Sequence, residues 1–169
     1  KNQYIIFVKH QPRVQPTLPG KNWQLEVLGG GWFWKERLRQ APLADVYIFQ
    51  TPALPIFYRP AKTIVITQDY PYKYLKSRTT RERIKNFLIR CYHHLSLHRA
   101  DVIVAVSQSS KTDTIRFFGL PEEKIKVVYM GYKNICAVPE LSVALPARFF
   151  LFVGVIKERK NFFNIVKAF

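Results

Sequence analysis

ADVIVAVSQSSKTDTIRFFGL, residues 100–120, decides how the rest of the chain is read. Asp101 is followed by five apolar residues, Val102, Ile103, Val104, Ala105 and Val106, four of them β-branched. A run that short and that β-branched reads as a strand buried on both faces. Ser107 ends it, and Ser109 or Ser110 offers a hydroxyl to cap a helix. Ile115 and Phe118 keep helical spacing, and Gly119, with Pro121 beyond it, stops the helix. Strand, polar turn and helix make half of a parallel α/β unit. Ligands of open α/β sheets bind where strand carboxyl ends meet helix amino ends. Ser107, Ser109 and Lys111 are therefore expected on a binding rim.

Working outward, residues 125–129 read as the next strand, with Met130 and Gly131 as its exit turn. Residues 133–147 hold Pro139 and Pro146 and read as a linker. Residues 149–153 start a new strand, and residues 154–161 loop into a final helix. Upstream, the longest helix spans 81–97, capped by Thr79 or Thr80. Its apolar residues Ile84, Leu88, Cys91 and Leu95 are expected to pack on the sheet. Residues 63–67 form a core strand that ends at Gln68 and Asp69, and residues 45–49 form another. Residues 32–40 read as a helix behind Gly29, Gly30 and Gly31. Residues 4–8 and 23–28 are strands separated by a proline-rich loop. The alternation predicts an α/β fold, a Rossmann-like parallel sheet with flanking helices. Two strands in a row near the start leave that edge of the sheet open to either arrangement.

The 169 residues suffice for one domain with a sizeable core. Lys and Arg number 27 against 11 Asp and Glu, a formal net charge of +16. That excess implies an anionic partner, either nucleic acid or an anionic membrane surface. The densest cluster holds Lys73, Lys76, Arg78, Arg81, Arg83 and Lys85 with Glu82 as its one acid; Tyr70, Tyr72, Tyr74 and Leu75 interleave its first cations. Aromatic and basic side chains together suit a headgroup zone, so Lys73, Lys76, Arg78, Arg81 and Lys85 are expected to face a membrane. A solvated charged surface is the plainer alternative. Cys91 and Cys136 are far apart in no metal-like spacing, which fits small apolar fillers in a reducing cytoplasm. No signal peptide and no membrane-length apolar run is present, so any attachment is expected to be peripheral, at the inner face of the membrane.

ADVIVAVSQSSK, GLPEEKIKVVYMG and FFLFVGVIKERKN stand in that order with natural spacing. Together they resemble glycosyltransferases of family four, enzymes of the two-domain GT-B fold, over residues 23–169. The resemblance makes residues 1–132 an acceptor-side Rossmann-like domain whose first strand, glycine loop and helix are not visible. Residues 133–147 become the interdomain linker and residues 148–169 the start of a nucleotide-sugar-binding domain. It implies a retaining transferase that moves a sugar from a nucleotide-sugar donor to a lipid-linked or glycan acceptor. No essential metal and no separate cofactor are implied. A complete enzyme needs both domains, so the sequence reads as a fragment expected to be inactive alone.

Residue by residue, Gln68 and Asp69 stand where family members often carry a His-Asp pair near the transferred sugar. Gln68 cannot act as a general base, but its amide can hydrogen-bond a sugar hydroxyl. Asp69 is then the nearby titratable group, unless it merely caps a turn. The loop GVIKERKN at residues 154–161 resembles the family's donor-phosphate loop. Gly154 lets backbone approach a phosphate, Arg159 and Lys160 supply positive charge, and Lys160 takes the place of the phosphate-binding lysine. Val155 stands where many members have Arg, which weakens the match. A basic turn before a helix is the alternative.

Other features carry less. Gly29, Gly30 and Gly31 lack both the dinucleotide spacing and the lysine of a P-loop, which favours a permissive turn over a phosphate cradle. His94 and His98 are four apart on a helix without the intervening Glu of a zinc motif, so a plain helical face is favoured over a metal pair. Two rival readings remain: a basic nucleic-acid-binding module, for which no motif is found, and a non-catalytic scaffold that lost the histidine at position 68.

Overall fold

The computed structural model describes residues 2–31, 33–74, 77, 79–132, 146–157 and 160–169. Six strands occur among them: β1 Tyr4–Val8, β2 Trp23–Val27, β3 Val46–Phe49, β4 Lys62–Thr67, β5 Val102–Ala105 and β6 Ile125–Val127. The helices are α1 Pro71–Tyr74, α2 Thr80–Arg99, α3 Gln108–Phe118 and α4 Phe162–Ala168, with 3-10 turns at Trp34–Gln40 and Glu122–Lys124. The expected parallel α/β architecture is present. β3, β4, β5 and β6 form one parallel sheet in sequence order. β1 and β2 pair parallel with each other as a separate two-stranded sheet, in register from Tyr4 opposite Trp23 to Val8 opposite Val27. That settles the open edge: the two early strands do not join the main sheet.

Alternation along each strand sorts the sheet into two faces. Tyr47, Phe49, Val65, Ile103, Ala105 and Ile125 are buried on one face, where Leu97 and Ala100 from the end of α2 and Phe118 and Leu120 from the end of α3 join the same core. Val46, Ile48 and Val102 on the other face are exposed, and Ile64, Ile66 and Val104 only half-buried. The strand at 102–106 is thus buried on one face rather than two.

Asp101 ties the strands together at their amino edge. Its Oδ2 accepts from the Thr63 backbone N–H at 2.8 Å and from the Thr63 hydroxyl at 2.7 Å, while Thr63 Oγ1 accepts the Asp101 N–H at 3.1 Å. These bonds, the side-chain one first, hold its carboxyl below the usual range. The acid that opens the organising stretch therefore fixes the register of β4 against β5.

Helix ends follow the expected chemistry with shifted residues. Thr79 caps α2 in a full capping box, accepting from Glu82 N–H at 3.2 Å, while Glu82 Oε2 accepts the Thr79 N–H at 3.3 Å. α3 is capped by Ser107 rather than Ser109 or Ser110, because Ser107 itself leaves the strand in extended backbone and its Oγ accepts the Ser110 N–H at 3.0 Å. Gly119 stops α3 with φ of 64°, the left-handed conformation that favours glycine.

Four further expectations change. The 32–40 helix is a 3-10 turn beginning at Trp34. The basic loop after β4 contains the short α1. Residues 149–153 form no strand: they are exposed save the half-buried Phe152, and no neighbouring strand among the described residues offers them a ladder. Phe150 instead packs edge-on to Phe169, and Phe152 to Phe162 of α4. Most consequentially, Ile84, Leu88, Cys91 and Leu95 do not pack on the sheet but are exposed. The inward face of α2 is Asn86, Ile89, His93, Ser96 and Leu97, a helical series in which polar residues conceal the apolar contacts. Of the other expected features, residues 133–145, Cys136, Lys76, Arg78 and Arg159 lie outside the described residues.

Candidate functional site

The carboxyl ends of the parallel strands gather along one rim. The ladder brings Thr67 opposite Ala105 and Ala105 opposite Val127, and the Val106 N–H donates to Thr67 O at 3.2 Å. The residues that leave β4 and β5 here are Gln68, Asp69 and Ser107. Gln68 and Asp69 are exposed, whereas the adjoining Tyr70 is almost fully buried. Tyr70 acts as their anchor. Its hydroxyl shares a 3.0 Å hydrogen bond with Thr114 Oγ1, which donates to Ser110 O at 2.6 Å. Its ring meets Phe117 and Phe118 edge-on, and burial raises its hydroxyl pKa. A fixed side chain directly after an exposed pair is the arrangement that holds a rim loop in one place.

The other expected rim residues divide. Ser107 is occupied as the α3 cap, its Oγ also 3.0 Å from the Ser110 hydroxyl. Ser109 is exposed on the first turn of α3. Lys111 is turned away to Glu122, Nζ to Oε1 2.8 Å, with only 15% of its side chain exposed. Its charge is therefore matched within the fold.

A half-buried polar layer that sequence spacing did not reveal holds the connection after β3. Glu36 accepts backbone N–H groups from Ile56, from Phe57 at 3.2 Å and from Tyr58 at 3.0 Å. Lys35 donates to Ala53 O at 2.6 Å, Tyr92 to Leu54 O at 2.6 Å, and Arg99 to Pro55 O at 3.0 Å and Ile56 O at 2.8 Å. Leu54 N–H donates to Ser96 Oγ at 3.0 Å. Together these pin the loop that leaves β3. Burial lowers Lys35 to about 8, and burial first, then the charge of Lys35, lowers His93 to about 4. His93 is therefore neutral at pH 7, and the Tyr72 hydroxyl, itself raised by burial, shares a 2.8 Å hydrogen bond with its Nδ1. No spacing rule could have found these partners, since each pair is far apart in sequence.

The remaining expected groups are placed as follows. Gly154 has φ of +152°, and Lys160, exposed, donates its N–H to Lys157 O at 2.9 Å. Gly29 and Gly30 have φ of +64° and +92°, and a Cβ on Gly30 would stand 3.0 Å from Arg37 Nε, so the glycines serve a turn packed under Arg37. The His94 and His98 rings lie 4.0 Å apart, and the described residues bring no third ligand to them. Lys73 Nζ sits over the rings of Phe117 at 4.9 Å and Phe118 at 5.4 Å, while Arg81 and Lys85 are exposed. A cavity of about 550 Å³ opens at the opposite, amino edge beside Leu43, Val46, Tyr58 and Lys62. It lies away from the strand ends where sheets of this class bind ligands. No described helix is long and apolar enough to cross a membrane.

No curated protein and no solved structure matches the chain. The family model described as Glycosyltransferase Family 4 matches residues 7–133. The match takes in β2 to β6, the last two residues of β1 and both long helices, reaches further toward the start than the resemblance over 23–169, and stops before the GVIKERKN loop. A parallel sheet with a gathered carboxyl rim and a family match across it lead to one conclusion: the chain belongs to Glycosyltransferase Family 4.

Proposed function

We propose that the chain is the acceptor-side part of a retaining transferase that moves a sugar from a nucleotide-sugar to a glycan or lipid-linked acceptor. The observation that carries this reading is the exposed Gln68–Asp69 pair at the end of β4, held by the buried Tyr70, in a chain of the glycosyltransferase family. In this reading the Asp69 carboxylate accepts a hydrogen bond from a sugar hydroxyl, and the Gln68 amide donates to or accepts from a second. Gln68 takes and gives no proton, so the pair positions sugar rather than shuttling protons. Gly154 and Lys160 meet the diphosphate of the donor, where charge builds as the glycosidic bond breaks.

Asp69→Asn in the complete enzyme tests the assignment. A charge-assisted bond lost without loss of fold lowers kcat/KM about tenfold to a hundredfold. Tm, read on the same variant, separates loss of the sugar contact from a change in the fold. An unchanged kcat/KM removes Asp69 from the site.

A further inference from the structure

Helix α2 has apolar residues on two opposite sides. One side packs into the core through Ile89, His93, Ser96 and Leu97. At about 100° per residue, Ile84, Phe87, Leu88, Cys91 and Leu95 fall together on the side that points away from it. Ile84 is 57% exposed, Phe87 63%, Leu88 61% and Leu95 41%, with Cys91 exposed between them. Four large apolar side chains in one stripe exceed the scattered apolar residues of an ordinary surface. Exposed cations border the stripe on both sides, Arg81 and Lys85 on one and Arg83 and Arg90 on the other. The helix has a single acid, Glu82, and its carboxylate is engaged in the capping box.

We propose that this outer face of α2 lies in the boundary between headgroups and acyl chains of an anionic lipid bilayer. Charge and shape select that occupant. An interfacial helix has an apolar stripe flanked by Lys and Arg, which reach the anionic headgroups while the stripe sinks below them. A second copy of α2 would set one cation row against another with no acid facing either. Nucleic acid would satisfy the cations and leave the stripe in water. The surface keeps Arg81 and Lys85 of the cluster expected from sequence but not Lys73, which is engaged over Phe117 and Phe118, and its apolar part lies further along the helix. α2 starts shortly after Asp69, so its bound amino end would hold the carboxyl rim near the lipid. The proposal stands independently of the sugar-transfer reading.

The test places an environment-sensitive nitrobenzoxadiazole probe on Cys91 in a Cys136→Ser background and pairs it with flotation of the unlabelled chain. With vesicles of phosphatidylcholine containing phosphatidylglycerol, the probe shifts to the blue and the chain floats. With phosphatidylcholine alone it does neither, and added salt weakens binding. Phe87→Gln with Leu88→Gln lowers partitioning at least about tenfold, as does Arg81→Glu with Lys85→Glu. All four residues are exposed, so the Tm of both variants stays at that of the parent. Any of three results overturns the proposal. One is a silent probe on anionic vesicles. Another is full binding by the glutamine variant, which would mean surface charge alone. The third is a lipid-free blue shift that grows with protein concentration, which would mean a second copy.

Discussion

Lys160→Ala in the complete enzyme is expected to lower kcat by about a hundredfold or more, the usual effect of removing one preorganised charge from a site where negative charge develops. Gly154 and Lys160 stand at the two ends of the loop that the resemblance aligns with donor phosphate. Gly154 has a backbone conformation that side-chain-bearing residues rarely adopt, and Lys160 leaves its ammonium exposed. If the ammonium meets the leaving diphosphate, the loss falls on kcat and kcat/KM together, because the interaction strengthens only as the bond breaks. If the loop is merely a basic turn leading to α4, the two constants change by less than twofold and fold stability is unaffected. Steady-state kinetics with the variant's Tm as control separates the two.

Glu36→Ala is expected to destabilise the fold by about 3 kcal/mol, a fall in Tm on the order of 10 °C. The carboxylate accepts N–H groups from Ile56, Phe57 and Tyr58, and two of these three bonds are part-buried. Alanine leaves those donors without their acceptor and frees a loop that Lys35, Tyr92, Ser96 and Arg99 hold elsewhere. Glu36→Gln keeps one oxygen and should recover part of the loss. Differential scanning calorimetry decides the matter: a Tm within about 2 °C of wild type for Glu36→Ala would mean that the remaining four anchors suffice.

What could be read from the residues, and what could not, divides along sequence separation. The β5–α3 unit was legible because a short β-branched run, a serine cap and a stop glycine act within a few residues of one another. The threonine cap of α2 is legible for the same reason, as one of two neighbouring residues, Thr79 or Thr80. The inward face of α2 was not. Its visible periodic stripe, Ile84, Leu88, Cys91 and Leu95, faces outward, while the packed face is built on His93 and Ser96, whose partners Tyr72 and Leu54 are far away in sequence. A helix with two apolar sides gives two answers to a periodicity test, and only tertiary packing chooses. The strand expected at 149–153 is missing because a strand is not a local structure: without a neighbouring strand among the described residues its apolar residues stay largely exposed, and Phe152 meets Phe162 of α4 edge-on. In the candidate site, Gln68 and Asp69 follow the end of β4, as their place after an apolar run suggests, whereas the ion pair of Lys111 with Glu122 in the next connection has no local signature.

Sugar transfer with retention is read from the anomeric configuration of the first product. The complete enzyme is mixed with a panel of nucleoside-diphosphate sugars and with oligosaccharide or polyprenyl-linked acceptors, and the new glycosidic bond is followed by proton NMR from the start of turnover. Saturable transfer from a donor in the panel is expected, with the product linkage carrying the donor's anomeric configuration. Product of inverted configuration, or no transfer from any donor by a folded enzyme that binds RNA tightly, would contradict it.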